Sequence, residues 1–279
     1  MLTLMSFNVL FGGEDRFPAI LDLLAREMPD VLVLQECLDW EDGDRLSQAA
    51  EAIGAPEVFL AKARPRSSGS RYHIAVASRL PIRSSKVHNN PHFIGHCIAE
   101  VAIEGGMTLF GCHFDAHHEN LRFVEARFVR SLIDPAKFAA GRYVLAGDLN
   151  SLSAADPYPA HLAEIHQAAG HIKYGSPPRF DVMGDLFDFG WIDTLRHKPL
   201  NGSWVTARRD RNGVMVDYRT DYILASPAMA RLLNTAHVIE VGEVSDHNAV
   251  LARFDVPAAG NEPESAAHLN PTTIGRAVT

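Results

Sequence analysis

Val144-Leu145-Ala146-Gly147-Asp148-Leu149-Asn150 is a short apolar run that ends in a carboxylate and an amide. The residues ahead of Asp148 read as a buried strand, Tyr143–Ala146, and the polar pair falls where that strand stops. The same pattern recurs along the chain. Leu4-Met5-Ser6-Phe7-Asn8 ends in an amide, Leu32-Val33-Leu34-Gln35-Glu36 in a carboxylate, and Leu109-Phe110-Gly111-Cys112-His113 in an imidazole with Asp115 two residues on. Asp221 heads the run Tyr222-Ile223-Leu224, and Ser245-Asp246-His247 stands just before Ala249-Val250-Leu251. A single Asp or Asn after a strand is ordinary turn chemistry, its side chain bonding nearby backbone. Six such endings are hard to read as turns. Asn, His, Asp and Glu gathered at strand ends suit a hard cation with oxygen ligands, together with hydrogen-bond donors for a phosphate.

Around these runs, strands and helices alternate at first, and then strands dominate. Leu2–Val9 and Val31–Leu34 read as strands, with a helix over Phe17–Met28 stopped by Pro29 and Asp30. A second helix spans Asp44–Ile53 before Gly54. Strands follow at Val58–Ala61, Tyr72–Ser78, His96–Ile103 and Met107–Phe114, the last two joined by Gly105-Gly106. Leu121, Val124, Phe128 and Leu132 lie at helical spacing and predict an amphipathic helix over Asn120–Ile133, with Asn120 as its cap and Arg122, Glu125 and Arg130 pointing away from the core. A further helix ends near Gly170, and Lys173–Phe189 reads as a long loop holding at most one helical turn. Ser203–Thr206, Val214–Leu224, His237–Val241 and Ala249–Phe254 complete a second set of strands. Two such halves suggest two sheets packed face to face with helices outside. Residues 1–256 then form a single domain, and the Ala, Pro, Asn, Gly and Thr of 257–279 predict a mobile tail.

Composition narrows the class. The 279 residues are 47% hydrophobic and 22% charged, ordinary values that exclude disorder for most of the chain. The formal net charge of −8 argues against a protein coated in positive charge for wrapping DNA. That charge is uneven. Residues 1–60 carry −9, whereas 61–90 contain seven basic residues and no acid. Cys37, Cys97 and Cys112 form no CxxC pair, so neither a disulfide framework nor a zinc knuckle is suggested. The start shows no secretory pattern, and no run approaches the roughly 18 apolar residues of a membrane span. A cytoplasmic monomer is the expectation.

In sequence order, Ser6-Phe7-Asn8-Val9, Gln35-Glu36, Gly147-Asp148-Leu149-Asn150, Asp221-Tyr222-Ile223-Leu224 and Ser245-Asp246-His247 resemble the signature segments of the endonuclease/exonuclease/phosphatase superfamily of metal-dependent phosphohydrolases. The resemblance spans nearly the whole globular part. It implies an α/β (α+β) fold like that of pancreatic deoxyribonuclease: a four-layer sandwich of two packed mixed β-sheets flanked by helices, with the active site at one end. It also implies residue roles. Glu36 is the principal metal ligand, with Asn8 and Asp246 close to the same Mg²⁺ (or Mn²⁺) ion or its waters. Asp148 orients or deprotonates the attacking water, and Asn150 and His113 donate to the scissile phosphate. Asp221 and His247 form an Asp–His pair, and Arg122 is structural.

The resemblance leaves the phosphoester substrate open between a small molecule and a nucleic acid. Two arginine-rich loops, Lys62–Arg71 and Arg208–Arg211, suit bidentate phosphate contacts as well as ordinary solvation. Arg64, Arg66, Arg71 and Arg209 are therefore candidate substrate contacts, as is Asp115 in the loop His113–Asn120. Without a broad basic face or wedge residues, a phosphodiesterase or phosphatase for a modest-sized substrate leads, ahead of a DNA or RNA nuclease. An inactive relative serving as a binding module expects losses at Glu36, Asp148 or His247, and all three are present.

Overall fold

The computed structural model describes residues 1–198 and 202–256. The expected mobile tail, 257–279, lies outside the described residues. The chain opens with β1 (Leu2–Asn8), β2 (Val31–Leu38), β3 (Glu57–Ala61) and β4 (Tyr72–Ser78). Then come β5 (Ile82–His88), β6 (Ile98–Ile103), β7 (Met107–His113), β8 (Arg142–Asp148) and the short β9 (Ile192–Asp193). A hairpin of β10 (Ala207–Arg211) and β11 (Val214–Tyr218) precedes β12 (Asp221–Ala225), β13 (Leu233–Ile239) and β14 (Ala249–Phe254).

Two six-stranded sheets result, ordered β13-β14-β1-β2-β4-β3 and β5-β6-β7-β8-β12-β9. Each is mixed: β1 and β2 pair in parallel, as do β7 and β8, among antiparallel neighbours. Side chains alternate across each strand, and the central strands β1, β14, β7 and β12 are buried on both faces. Leu4, Val33, Val144 and Ala146 point into the layer between the sheets. Met5, Leu32 and Leu34 point outward against α1 (Phe17–Glu27) and α2 (Arg45–Ala52). Phe110 and Leu145 meet Ala126 and Val129 of α3 (Glu119–Ser131); the short α4 (Pro135–Phe138) and α5 (Leu162–Ala168) precede α6 (Asp181–Phe189), whose Val182 and Leu186 join the same outer layer. The four-layer α/β sandwich read from the motifs is the fold.

Topology gathers the motif residues. Parallel partners end on the same side, which places Asn8 beside Glu36 and His113 beside Asp148. β12 and β14 run antiparallel to β8 and β1, so their entrances, Asp221 and the Ser245–His247 segment, arrive at that side too.

Several elements differ from their sequence reading. α3 turns Glu119, Arg122, Glu125, Ala126 and Val129 inward; of the expected apolar stripe, Phe128 and Leu132 pack half-buried against the outer core and Val124 is exposed. Arg122 and Glu125 are satisfied internally, and Glu119 uses one carboxylate oxygen on Arg122 while its Oε1 is buried without a partner. Arg122 Nη1 donates to Asp115 O (2.8 Å), and its Nη2 and Nε reach Glu119 Oε2 (2.5 and 3.1 Å). Glu125 accepts from the backbone N–H of Gly95 and of Asp115, both at 2.7 Å. Asn120 does not cap α3; it lies inside the first turn, where its Oδ1 accepts from Arg179 Nη1. Part of the expected loop Lys173–Phe189 is α6. The expected strand Val214–Leu224 is two strands, interrupted where the buried Arg219 pairs with Asp156 and Asp193. Ser203–Thr206 is not a strand, and the hairpin begins one residue later. β5 escaped the sequence reading because it is a largely exposed edge strand, Ile82-Arg83-Ser84-Ser85-Lys86-Val87-His88, without apolar alternation.

Candidate active site

Asp148 lies at the centre. Its Oδ2 accepts from Asn8 Nδ2 at 3.2 Å, and its Oδ1 accepts from the backbone N–H of Asn150 at 2.8 Å. Two imidazoles flank it, with His113 Nε2 and His247 Nε2 each 3.7 Å from Oδ2. Although burial pushes the Asp148 carboxyl upward, His247, His113, Lys173 and the Asn150 N–H together hold it below the usual carboxylate range.

Glu36 reaches the site through a bulge. Pairing of β2 with β4 shifts between Leu34 and Cys37, and Glu36 takes φ 57° there. The twist turns its side chain toward β1. Oε1 accepts from Asn8 Nδ2 at 3.1 Å, and Oε2 from the backbone N–H of Phe11 at 3.1 Å. One amide of Asn8 therefore bridges Glu36 and Asp148, while its Oδ1 accepts from Leu10 N.

On the other flank, His247 Nδ1 donates to Asp221 Oδ2 at 2.8 Å. Burial alone would lower the His247 pKa, but Asp221 and Asp148 outweigh it and carry the imidazole up to about 9. It is cationic at neutral pH. Asp221 shifts the other way from an ordinary ion-paired acid: burial and the charge of Asp148 raise it against the pull of His247. Thr206 Oγ1, which accepts from the N–H groups of Thr220 and Asp221, fixes the start of β12. Ser245 Oγ donates to Asn8 O (2.7 Å), tying the His247 segment to β1.

His113 is neutral instead. Burial lowers its pKa, and the carboxylates of Asp148 and Glu36 only partly oppose that. Its ring stacks on His96, with centroids 4.2 Å apart and planes 5° from parallel. Asn150, at φ 49°, directs Nδ2 to Phe114 O at 3.0 Å.

The remaining candidates sit further out. Asp246 is exposed, its carboxylate 2.8 Å from Arg209 Nη2, and no contact joins it to Glu36 or Asp148 among the described residues. Arg209 thus borders the site through Asp246. Asp115 Oδ1 accepts from the N–H groups of His117 and His118 (2.8 and 2.6 Å), which builds the turn into α3. Arg71 pairs with Glu41 at 2.9 Å, Arg64 is exposed, and Arg66 reaches His96. Sequence reasoning passed over Lys173 and His96. Lys173 lies in the loop before α6, with its ammonium 5.4 Å over the Tyr174 ring. Burial lowers its pKa while Asp148 pulls it back up. A lysine in a polar loop offers no spacing from which to infer this.

Asp148, Asp221 and His247 each present one potential ligand atom, all within 4.8 Å of one another. Asp221 Oδ1 is buried without a hydrogen-bond partner. The carboxyl groups of Glu36, Asp148 and Asp221 outnumber the nearby cationic side chains, His247 and Lys173, and their hard oxygens fit a divalent cation. A protonated His247 is no ligand, so the Glu36–Asn8–Asp148 side is the better seat.

The chain matches the endonuclease/exonuclease/phosphatase family over residues 5–247 and belongs to it. No curated protein matches it in sequence. Among solved structures it resembles an AP endonuclease from Archaeoglobus fulgidus (19% identity, TM-score 0.69), covering 92% of this chain and 100% of that one. It is also similar to the 3′ phosphatase NExo from Neisseria bound to a product DNA hairpin (22%, TM-score 0.67, 91% and 100%) and to the 3′-5′ exonuclease NExo from Neisseria meningitidis (23%, TM-score 0.65, 91% and 100%). The protein is a phosphoester hydrolase of this family. Among the described residues, no helix is long and apolar enough to cross a membrane.

Proposed function

We propose that the protein hydrolyses a phosphodiester or phosphomonoester of modest size by in-line attack of water, with Mg²⁺ or Mn²⁺ held by Glu36 and Asp148, whose carboxylates the Asn8 amide bridges. The observation that carries this reading is Asp148, kept anionic between Asn8, the Asn150 N–H and two imidazoles. Asp148 orients the attacking water and takes its proton. His247, fixed and charged by Asp221, faces the phosphoryl oxygens as an electrostatic clamp. Neutral His113 offers a hydrogen bond to the same group, and Asn150 sets the Asp148 carboxylate through its N–H. A bound divalent ion supplies the charge that neutralises the phosphoryl oxygens. Hydrolysis of bis(p-nitrophenyl) phosphate tests the reading: activity should require Mg²⁺ or Mn²⁺ and vanish in Glu36→Ala and in His247→Ala. Absence of turnover with every divalent ion would sink it.

A nuclease is the second reading, supported by the endonuclease named in one similar structure and the product DNA hairpin bound in a NExo structure. Parallel assays on plasmid DNA, abasic DNA, RNA, nucleotides and inositol phosphates separate the two.

A further inference from the structure

Beside the reaction centre, four rings form a continuous wall. His113 stacks on His96, and His96 meets Tyr72 edge-on with centroids 5.8 Å apart. Tyr72 in turn meets Phe11 edge-on at 6.3 Å. The wall ends in Phe11, 44% exposed although its N–H is bonded to Glu36. That ring stands at the rim of the charged site, its own backbone N–H on the Glu36 carboxylate.

The backbone goes to some length to keep it there. Leu10, Phe11 and Glu14 have φ of 51°, 50° and 45°, conformations that L residues with bulky side chains avoid, and Gly12 and Gly13 are left-handed between them. Surrounding groups over-determine this turn. Arg16 donates to Leu10 O (2.7 Å) and Val244 O (2.7 Å), and the Trp40 indole donates to Gly12 O at 3.2 Å. The Arg45 guanidinium also donates to Gly12 O.

One cation serves the wall. Arg66 lies 4.9 Å over the Tyr72 ring, and its Nη2 donates to His96 Nε2 at 3.2 Å. That bond makes Nε2 an acceptor, so His96 is neutral and the positive charge belongs to the guanidinium, whose other N–H groups remain available for an anion. Arg66 belongs to the acid-free stretch 61–90. A flat apolar face and an arginine within reach of a hydrolytic centre match a base and a phosphate linked through a sugar. Sugar phosphates without an aromatic ring have no use for the exposed Phe11 face.

We infer that Phe11 and Arg66 form a nucleoside subsite: the base of a nucleoside joined to the scissile phosphate packs on Phe11, and Arg66 holds the neighbouring phosphate. The inference rests on the proposed phosphoester hydrolysis and narrows its substrate to nucleotides or oligonucleotides.

The test is equilibrium binding rather than turnover, so its failure is separable from failure of the hydrolase reading. The full chain in EDTA is titrated with thymidine trinucleotide and with a trinucleotide of the same backbone lacking bases. Wild type should bind the base-bearing form about tenfold tighter or more. Phe11→Ala should erase that preference while changing affinity for the abasic form less than about twofold, and Phe11→Tyr should keep it. Arg66→Gln should weaken both forms. Equal binding of the two trinucleotides by wild type, binding of neither, or a preference that survives in Phe11→Ala overturns the subsite. A chain that shows the preference but hydrolyses no phosphoester retains the subsite and loses the enzyme.

Discussion

Nδ1 of His247 sits 2.8 Å from Asp221 Oδ2, and the two residues stand at the entrances of β14 and β12, strands of different sheets. The pair fastens the sandwich as well as the site. His247 titrates near 9 in the folded protein, against roughly 6.5 for an unperturbed histidine. A base whose pKa is raised by folding stabilises fully below its unfolded value, and that contribution disappears as pH climbs through the folded one. Each tenfold gain in proton affinity on folding is worth roughly 1.4 kcal/mol. Urea unfolding in EDTA should therefore show stability falling by about 2–3 kcal/mol between roughly pH 6.5 and 9.5. His247→Gln should flatten that slope. An equal slope in wild type and variant would refute the assignment.

Lys173 sits where Asp148 is sensitive to its charge. Lys173→Met should reduce kcat on bis(p-nitrophenyl) phosphate about tenfold, equivalent to roughly 1.4 kcal/mol, with Lys173→Arg recovering part of the loss. Steady-state kinetics decide this, and an unchanged kcat in the Met variant counts against any role.

Arg122 is fully buried, with a carboxylate and two carbonyl oxygens, Asp115 O and Lys173 O, around one guanidinium. Arg122→Met strands Glu119 in the interior and should cost about 3–5 kcal/mol. Lysine lacks the planar fork, so Arg122→Lys should recover only a minor part. Thermal unfolding measures both, and near-wild-type stability of either variant would contradict the buried ion pair's role.

Gly147 precedes Asp148 on β8 with no room for a side chain. A Cβ there would lie 1.8 Å from the Cys112 carbonyl oxygen on β7. Gly147→Ala must therefore prise apart the parallel pair that carries His113 and Asp148. A loss of about 3 kcal/mol or more is expected. Differential scanning calorimetry should show Tm lower by at least roughly 6 °C, and a smaller drop would mean the strands yield easily.

The sandwich and its motif residues were legible in the sequence because each motif joins an apolar run to a polar stop. Register did the rest, bringing residues such as Asn8 and Asp148 together across 140 positions. What stayed hidden has a common cause. Apolar periodicity misplaces the buried face of α3, where Arg122 and Glu125 are internal yet satisfied, and it is silent on β5, whose exposed edge has nothing to alternate. Asp246 illustrates a different limit. The motif places it beside His247, but whether its carboxylate turns inward depends on Arg209, a partner on the separate hairpin. Lys173 and His96 depend likewise on contacts across the fold that no local spacing encodes.

Asn8, Glu36 and His247 belong to one sheet or its approach, and His113, Asp148 and Asp221 to the other. Neither sheet by itself has a catalyst. Chemistry arises at the seam, only once the two layers close on each other. A newly made or partly opened chain, with each sheet still hydrogen-bonded, would thus be harmless to the phosphoesters around it. Competence to cleave and completion of folding are, in this architecture, a single event.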